Sequence, residues 1–169
     1  MEIVVTNTEQ LAQLLLRRGW MLATAESCTG GLIAAACTEL AGSSNWFERG
    51  FVSYSNEAKT GLLGVKAQTI AAHGAVSEAV VREMVEGAVS RSRARVGVAV
   101  TGVAGPSGGS KDKPVGTVWF GFMVDGALTS ETVRFPGDRA AVRAATVQHA
   151  LDGLVQRLGR LAQGEPLRS

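Results

Sequence analysis

Apolar positions recur along this chain with two periods, and the changes from one to the other divide it into elements. Between Thr6 and Gly19, Leu11, Leu14 and Leu15 share one face of a helical repeat; Thr6 and Glu9 have the spacing of a capping box, and Gly19 supplies a stop. The short apolar run 20-WMLATA-25 suits a buried strand, and helical spacing returns after Gly30-Gly31 at Leu32, Ile33, Ala36, Cys37 and Leu40. Then 41-AGSSNW-46 reads as a loop, 51-FVSYS-55 as a second strand, and Asn56–Leu63 as a short helix capped by Ser55. Val80, Val81, Met84, Val85 and Ala88 make an apolar stripe on a further helix that begins after Ser77. A third strand, 96-VGVAVT-101, runs into the glycine-rich loop 102-GVAGPSGGSKDK-113. The strands 115–124 and 127–135 meet at Asp125-Gly126, a hairpin turn signal. Asp138 caps a long last helix over Val142, Ala145, His149, Leu154, Leu158 and Leu161, and residues 163–169 are expected to fray.

Helices alternating with buried strands predict one layered α/β domain over residues 1–162, its sheet mixed and mainly parallel, with one antiparallel hairpin. Such sheets bind ligands beyond the carboxyl ends of their strands. Three stretches follow strands and are expected to converge there: Glu26–Gly31, Tyr54–Lys59 and Thr101–Gly109.

Composition narrows the classes. With 169 residues, 46% of them apolar and 19% charged, the chain can bury a core without staples. A formal net charge of +2 without charge runs is too mild for a nucleic-acid partner and leaves an anionic small molecule open. Cys28 and Cys37 stand nine positions apart and match neither a zinc spacing nor a disulfide framework; with only His73 and His149 besides, a His-based metal centre is not expected. Met1-Glu2-Ile3 lacks the basic region and apolar core of a secretory signal, and no apolar run reaches membrane-spanning length, so a cytoplasmic chain is expected.

Ser27 stands ahead of a helix start, where it is either a cap or a nucleophile whose oxyanion the backbone N–H groups near Thr29–Gly31 would hold. Gly30 and Gly31 allow close approach of a substrate. Neither histidine suits the base: His73 falls at a helix end and His149 in mid-helix. Lys59 remains, in a Ser–Lys variant of the triad logic, and is otherwise a solvated helix lysine. As a base near neutral pH it needs a shift from about 10.4 to about 7, roughly 4–5 kcal/mol, from burial or a nearby cation. Tyr54, the single tyrosine, either relays a proton, holds the lysine or is a packing residue. Cys28 is the better intrinsic nucleophile but reads as a small buried filler, and it ranks below Ser27. The loop 101-TGVAGPSGG-109 lacks the P-loop ending and is either a relaxed connection or a phosphate or ribose cradle. Arg139 and Arg143, one helical turn apart, are anion ligands or surface charges.

Together 24-TAESCTGG-31, 42-GSSNWFERGFVSYSNEAK-59, 74-GAVSE-78, 100-VTGVAGPSGGS-110 and 113-KPVGTVWFGF-122 resemble the C-terminal domain of the competence/damage-inducible CinA proteins, and most of all its stand-alone amidohydrolase members. The likeness runs from about Leu11 to Leu158, and the separate N-terminal domain of full-length members has no counterpart in it. It implies a three-layer α/β/α domain that forms a homodimer or higher assembly. It also implies hydrolysis of the carboxamide of nicotinamide mononucleotide to nicotinic acid mononucleotide and ammonia, without a cofactor. By the same resemblance Ser27 is the nucleophile, Lys59 the base and Tyr54 its assistant, while Thr101, Gly102 and Gly105 line the substrate loop beside Thr29, Gly30 and Gly31. Assigning Arg139 to the substrate phosphate rests on charge alone. The rival reading is a non-catalytic nucleotide-sensing or protein-interaction module, for which Ser27, Tyr54 and Lys59 together would be superfluous. Direct DNA binding is disfavoured by the weak charge.

Overall fold

The computed structural model describes residues 6–164; the greater part of the tail expected to fray, 165–169, lies outside the described residues. The elements are α1 (Thr8–Arg18), β1 (Leu22–Glu26), α2 (Leu32–Thr38), β2 (Phe47–Val52), α3 (Asn56–Leu63), α4 (Ala67–His73), α5 (Glu78–Ser90), β3 (Val96–Gly102), β4 (Thr117–Val124), β5 (Ala127–Arg134) and α6 (Arg139–Ala162), with a 3-10 turn at Ser43–Asn45. The five strands make one mixed sheet in the order β2-β1-β3-β4-β5. β1 pairs in parallel with β2 and β3, and β4 runs antiparallel to both β3 and β5, so only β4 opposes the common direction.

Alternation along the buried strands supplies two cores. Leu22, Val96, Val98 and Phe120 face α1, α2 and α6, whereas Ala23, Ala25 and Ala99 face Val80, Val81 and Met84 of α5. Residues buried on both faces explain why β1 and β3 read as continuous apolar runs. No helix among the described residues is long and apolar enough to cross a membrane.

Local signals decide most boundaries. Ser55 Oγ accepts from Ala58 N at 3.0 Å, Ser77 Oγ from Val80 N at 3.3 Å, and Asp138 Oδ1 from Ala141 N at 2.9 Å, each capping the helix that follows. Asp125 (φ 47) and Gly126 (φ 88) both take positive φ, the requirement of the tight hairpin turn joining β4 to β5.

The main departures from expectation are at β2, at the start of α1 and at α4. The second strand is Phe47–Val52 and not 51–55; β1 ends at Glu26 opposite Val52, and after the bond from Ser53 N to Glu26 O at 2.8 Å the chain leaves the sheet. β2 is an edge strand whose charged Glu48-Arg49 hides its first half from an apolar pattern. At the start of α1 the capping box does not form. Asn7 is the cap residue without a side-chain cap bond, its Nδ2 donates to Asp152 Oδ1, and Thr6 N donates to Gln148 Oε1, so α6 engages this end. The sequence signalled only the end of α4, at His73.

The chain leaves β1 through α2 toward β2, and leaves β3 toward β4 on the other side. The connections therefore part between β1 and β3, the switch point at whose carboxyl ends such sheets bind ligands. α3 is brought against this end by close packing on α5: a Cβ on Gly87 would overlap the carbonyl oxygen of Leu63.

Candidate active site

Ser27 follows the last residue of β1 and continues its ladder, with Ser27 N donating to Val100 O at 3.2 Å. Its side chain is nearly enclosed at 8% exposure. Lys59, on α3, comes to it from 32 residues away and is 2% exposed. Lys59 Nζ stands 3.0 Å from Ser27 Oγ, 3.2 Å from the carbonyl oxygen of Ser53 and 3.1 Å from that of Tyr54. The two carbonyls only accept, so they take two N–H bonds from the amine. When Lys59 is neutral, its lone pair is left for the Ser27 hydroxyl proton; when it is charged, the third N–H goes to Ser27 Oγ. Burial moves Lys59 below its ordinary value of 10.5, against a smaller opposing pull from Cys28. The direction is the one a base requires.

The turn after Ser27 is held from two sides. Glu26, 1% exposed, receives Thr29 Oγ1, Gly31 N and Ile33 N on Oε1, and Ala34 N on Oε2. From α6, Arg143 donates through Nε to Cys28 O at 3.1 Å and through an Nη to Thr29 O at 3.2 Å. These bonds engage part of the donor set expected near Thr29–Gly31. Gly30 N is used by Ser27 O and Gly31 N by Glu26, so within the turn the N–H groups of Cys28 and Thr29 are the ones with no oxygen acceptor among the described residues. A trans peptide sets its N–H opposite its C=O, so Arg143 on the Cys28 carbonyl also fixes the direction of Thr29 N–H.

The other candidates divide by what they touch. Tyr54 reaches Lys59 through its backbone carbonyl; its ring is 60% exposed and its hydroxyl accepts from Arg139 at 3.2 Å, so no Tyr54 relay between Ser27 and Lys59 is formed. Arg139 also donates to Gly105 O at 2.8 Å, tying the glycine-rich loop to α6 and to the Tyr54 turn. Thr101, buried, donates to Ala75 O, and Thr29 is turned inward onto Glu26. Gly102 packs under Val118 and Gly105 under Val115, where side chains would crowd the loop. Burial pushes the Cys28 thiol up to about 11, which keeps it protonated and weakens its claim as nucleophile. His149 lies against the ring of Phe120, and His73 ends α4 with its carbonyl bonded to Lys113. Neither histidine hydrogen-bonds Ser27 or Lys59.

The model of the CinA C-terminal domain matches residues 5–158. The chain belongs to the CinA C-terminal domain family. It is 53% identical over 152 residues to the nicotinamide-nucleotide amidohydrolase PncC of Escherichia coli (strain K12), covering 88% of this chain and 91% of that protein. It is 52% identical over 156 residues to the protein of that name from Pseudomonas putida, covering 92% and 98%. The crystal structure of a CinA superfamily protein from Klebsiella pneumoniae superposes with a TM-score of 0.87 at 43% identity, covering 90% of this chain and 96% of that one.

In this CinA C-terminal domain, sequence reasoning named both members of the Ser27–Lys59 pair but missed the two charged side chains that shape the turn. Arg143 stood only as an anion ligand or surface charge, and its use on backbone carbonyls depends on how α6 packs beside α2 and β3. Glu26 carried one legible signal, an acidic residue closing an otherwise apolar strand. A carboxylate there lies within reach of the following helix start and is expected to be buried only if it is bonded.

Proposed function

We propose that this CinA C-terminal domain hydrolyses the carboxamide of nicotinamide mononucleotide to nicotinic acid mononucleotide and ammonia, with Ser27 as nucleophile and Lys59 as base. The observation that carries the reading is the 3.0 Å contact between Lys59 Nζ and Ser27 Oγ, with two carbonyls occupying the remaining N–H groups of the amine. The family membership and the names of its amidohydrolase relatives supply the substrate.

Neutral Lys59 takes the Ser27 proton directly as Ser27 Oγ attacks the carboxamide carbon. The N–H groups of Cys28 and Thr29 are the free donors for the developing oxyanion. The Lys59 ammonium then gives its proton to the amide nitrogen, the C–N bond breaks, and ammonia leaves. Water attacks the acyl-enzyme, losing a proton to Lys59; the ester bond breaks and Ser27 regains its hydrogen, leaving the carboxylate product. A pyridinium cation near Lys59 favours the neutral amine, and the exposed Tyr54 ring offers it a face to stack on. The phosphate would raise the lysine if close, so it belongs farther out, where Arg139 keeps N–H groups beyond those given to Gly105 and Tyr54.

Ammonia release from nicotinamide mononucleotide by wild type, Ser27→Ala and Cys28→Ala tests this. Release by wild type and Cys28→Ala, with a fall on the order of 10⁴-fold or more in folded Ser27→Ala, is expected. Tight nucleotide binding without release by wild type would turn the reading toward a sensing module.

A further inference from the structure

Glu26 takes no part in the proton transfers just described, yet it is among the most thoroughly bonded side chains of the site. Its two oxygens face donors only: the Thr29 hydroxyl and the N–H groups of Gly31 and Ile33 on one, and the N–H of Ala34 on the other. The four bonds leave both carboxyl oxygens acting as acceptors only. No lysine or arginine pairs with it among the described residues, so backbone and hydroxyl dipoles alone offset its burial. Its backbone is fixed as well, because Glu26 O accepts from Ser53 N, beside the carbonyl that holds Lys59. One side chain thus links the end of β1, the Ser27 turn and the first residues of α2.

We propose that Glu26 is the positioning residue of the nucleophile turn: its carboxylate, by gathering Thr29, Gly31, Ile33 and Ala34, sets Ser27 Oγ against Lys59 Nζ and leaves Cys28 N–H and Thr29 N–H unclaimed for the oxyanion. The oxyanion clause rests on the hydrolase reading; the geometric clause does not. An amide cannot replace the carboxylate. In Glu26→Gln the NH₂ group must meet either Ala34 N–H or the three donors on the other side, donor against donor. Glu26→Asp keeps the charge but is one methylene short.

The test measures kcat and KM for ammonia release from nicotinamide mononucleotide, together with amide hydrogen exchange of residues 28–34, in full-length wild type, Glu26→Gln, Glu26→Asp and Thr29→Val. Misplacing a reacting group by about 1 Å costs about 100-fold, so Glu26→Gln is expected to lose about 100-fold in kcat with KM little changed. Gly31, Ile33 and Ala34 should exchange faster in that variant, and Glu26→Asp should recover part of both. A kcat per folded molecule equal to wild type, with only a lower melting temperature, would reduce Glu26 to a structural residue and overturn the proposal. Should both Glu26 variants fail to fold, Thr29→Val removes one of the four donors while keeping the charge. A lower kcat at constant KM is expected there, and an unchanged kcat or an effect confined to KM would overturn the proposal. If wild type releases no ammonia, the hydrolase reading fails by itself. Exchange in Glu26→Gln still decides the geometric clause, retained protection at Gly31, Ile33 and Ala34 overturning it.

Discussion

Among the residues around Ser27, Lys59 is the one whose protonation state changes what the site can do. Two of its three acceptors are carbonyls, and only the Ser27 hydroxyl can reverse the direction of its bond. Because burial lowers Lys59 below 10.5, kcat/KM should rise with pH to a plateau through an apparent value beneath that figure. The stability sign follows. Holding a proton on the buried amine costs stability below the folded-state value, and the cost is relieved as pH rises through that value toward 10.5. Lys59→Met should lose this gain in urea titrations across the same window, and should lose turnover by about 10²–10⁴-fold. Lys59→Arg keeps the charge but supplies no neutral base, and an equal loss is expected. Tyr54→Phe keeps the carbonyl that holds Lys59 and removes the hydroxyl that Arg139 meets. Its kcat should change little while KM rises; a collapse of kcat in steady-state assays would mean that the hydroxyl carries a proton after all. The identities of Ser27 and Lys59 were legible because their motifs survive as contiguous strings. The roles of Glu26 and Arg143 were not, since each depends on backbone groups that face it only after folding.

At the scale of elements, α3 matters because it carries Lys59, and its place depends on a residue of another helix. Gly87 of α5 admits the Leu63 carbonyl at a distance no Cβ allows. Gly87→Ala should therefore cost about 1–3 kcal/mol in urea unfolding and also lower kcat, because the strain moves the helix that bears Lys59, the proposed base. A destabilised but fully active variant would show that α3 tilts without carrying Lys59 away. Caps were legible at Ser55, Ser77 and Asp138, since an oxygen bonding an N–H three residues on is a local event. The start of β2 was not. Edge strands take their pairing from a neighbour, and Glu48-Arg49 is as compatible with a loop as with the rim of a sheet. Asn7 and Thr6, drawn to Asp152 and Gln148, show the same override at the start of α1.

For the molecule as a whole, the proposed route through Ser27 and Lys59 uses no metal ion, so turnover should be unchanged by EDTA. Loss of activity that zinc or magnesium restores would contradict this. The sequence by itself determined the alternation of helices and buried strands, the hairpin at Asp125-Gly126 and the presence of a hydroxyl and an amine in motifs of one family. These are carried by periodicity, positive-φ demands and contiguous strings, all short-range properties of the chain. The tertiary structure alone decided that Lys59 crosses 32 residues to Ser27, that burial lowers its pKa, and that Glu26 and Arg143 occupy the turn's donors and acceptors. The reason is physical: desolvation and hydrogen-bond satisfaction depend on which groups meet when β1, α3 and α6 pack, and spacing along a chain holds no distance between them.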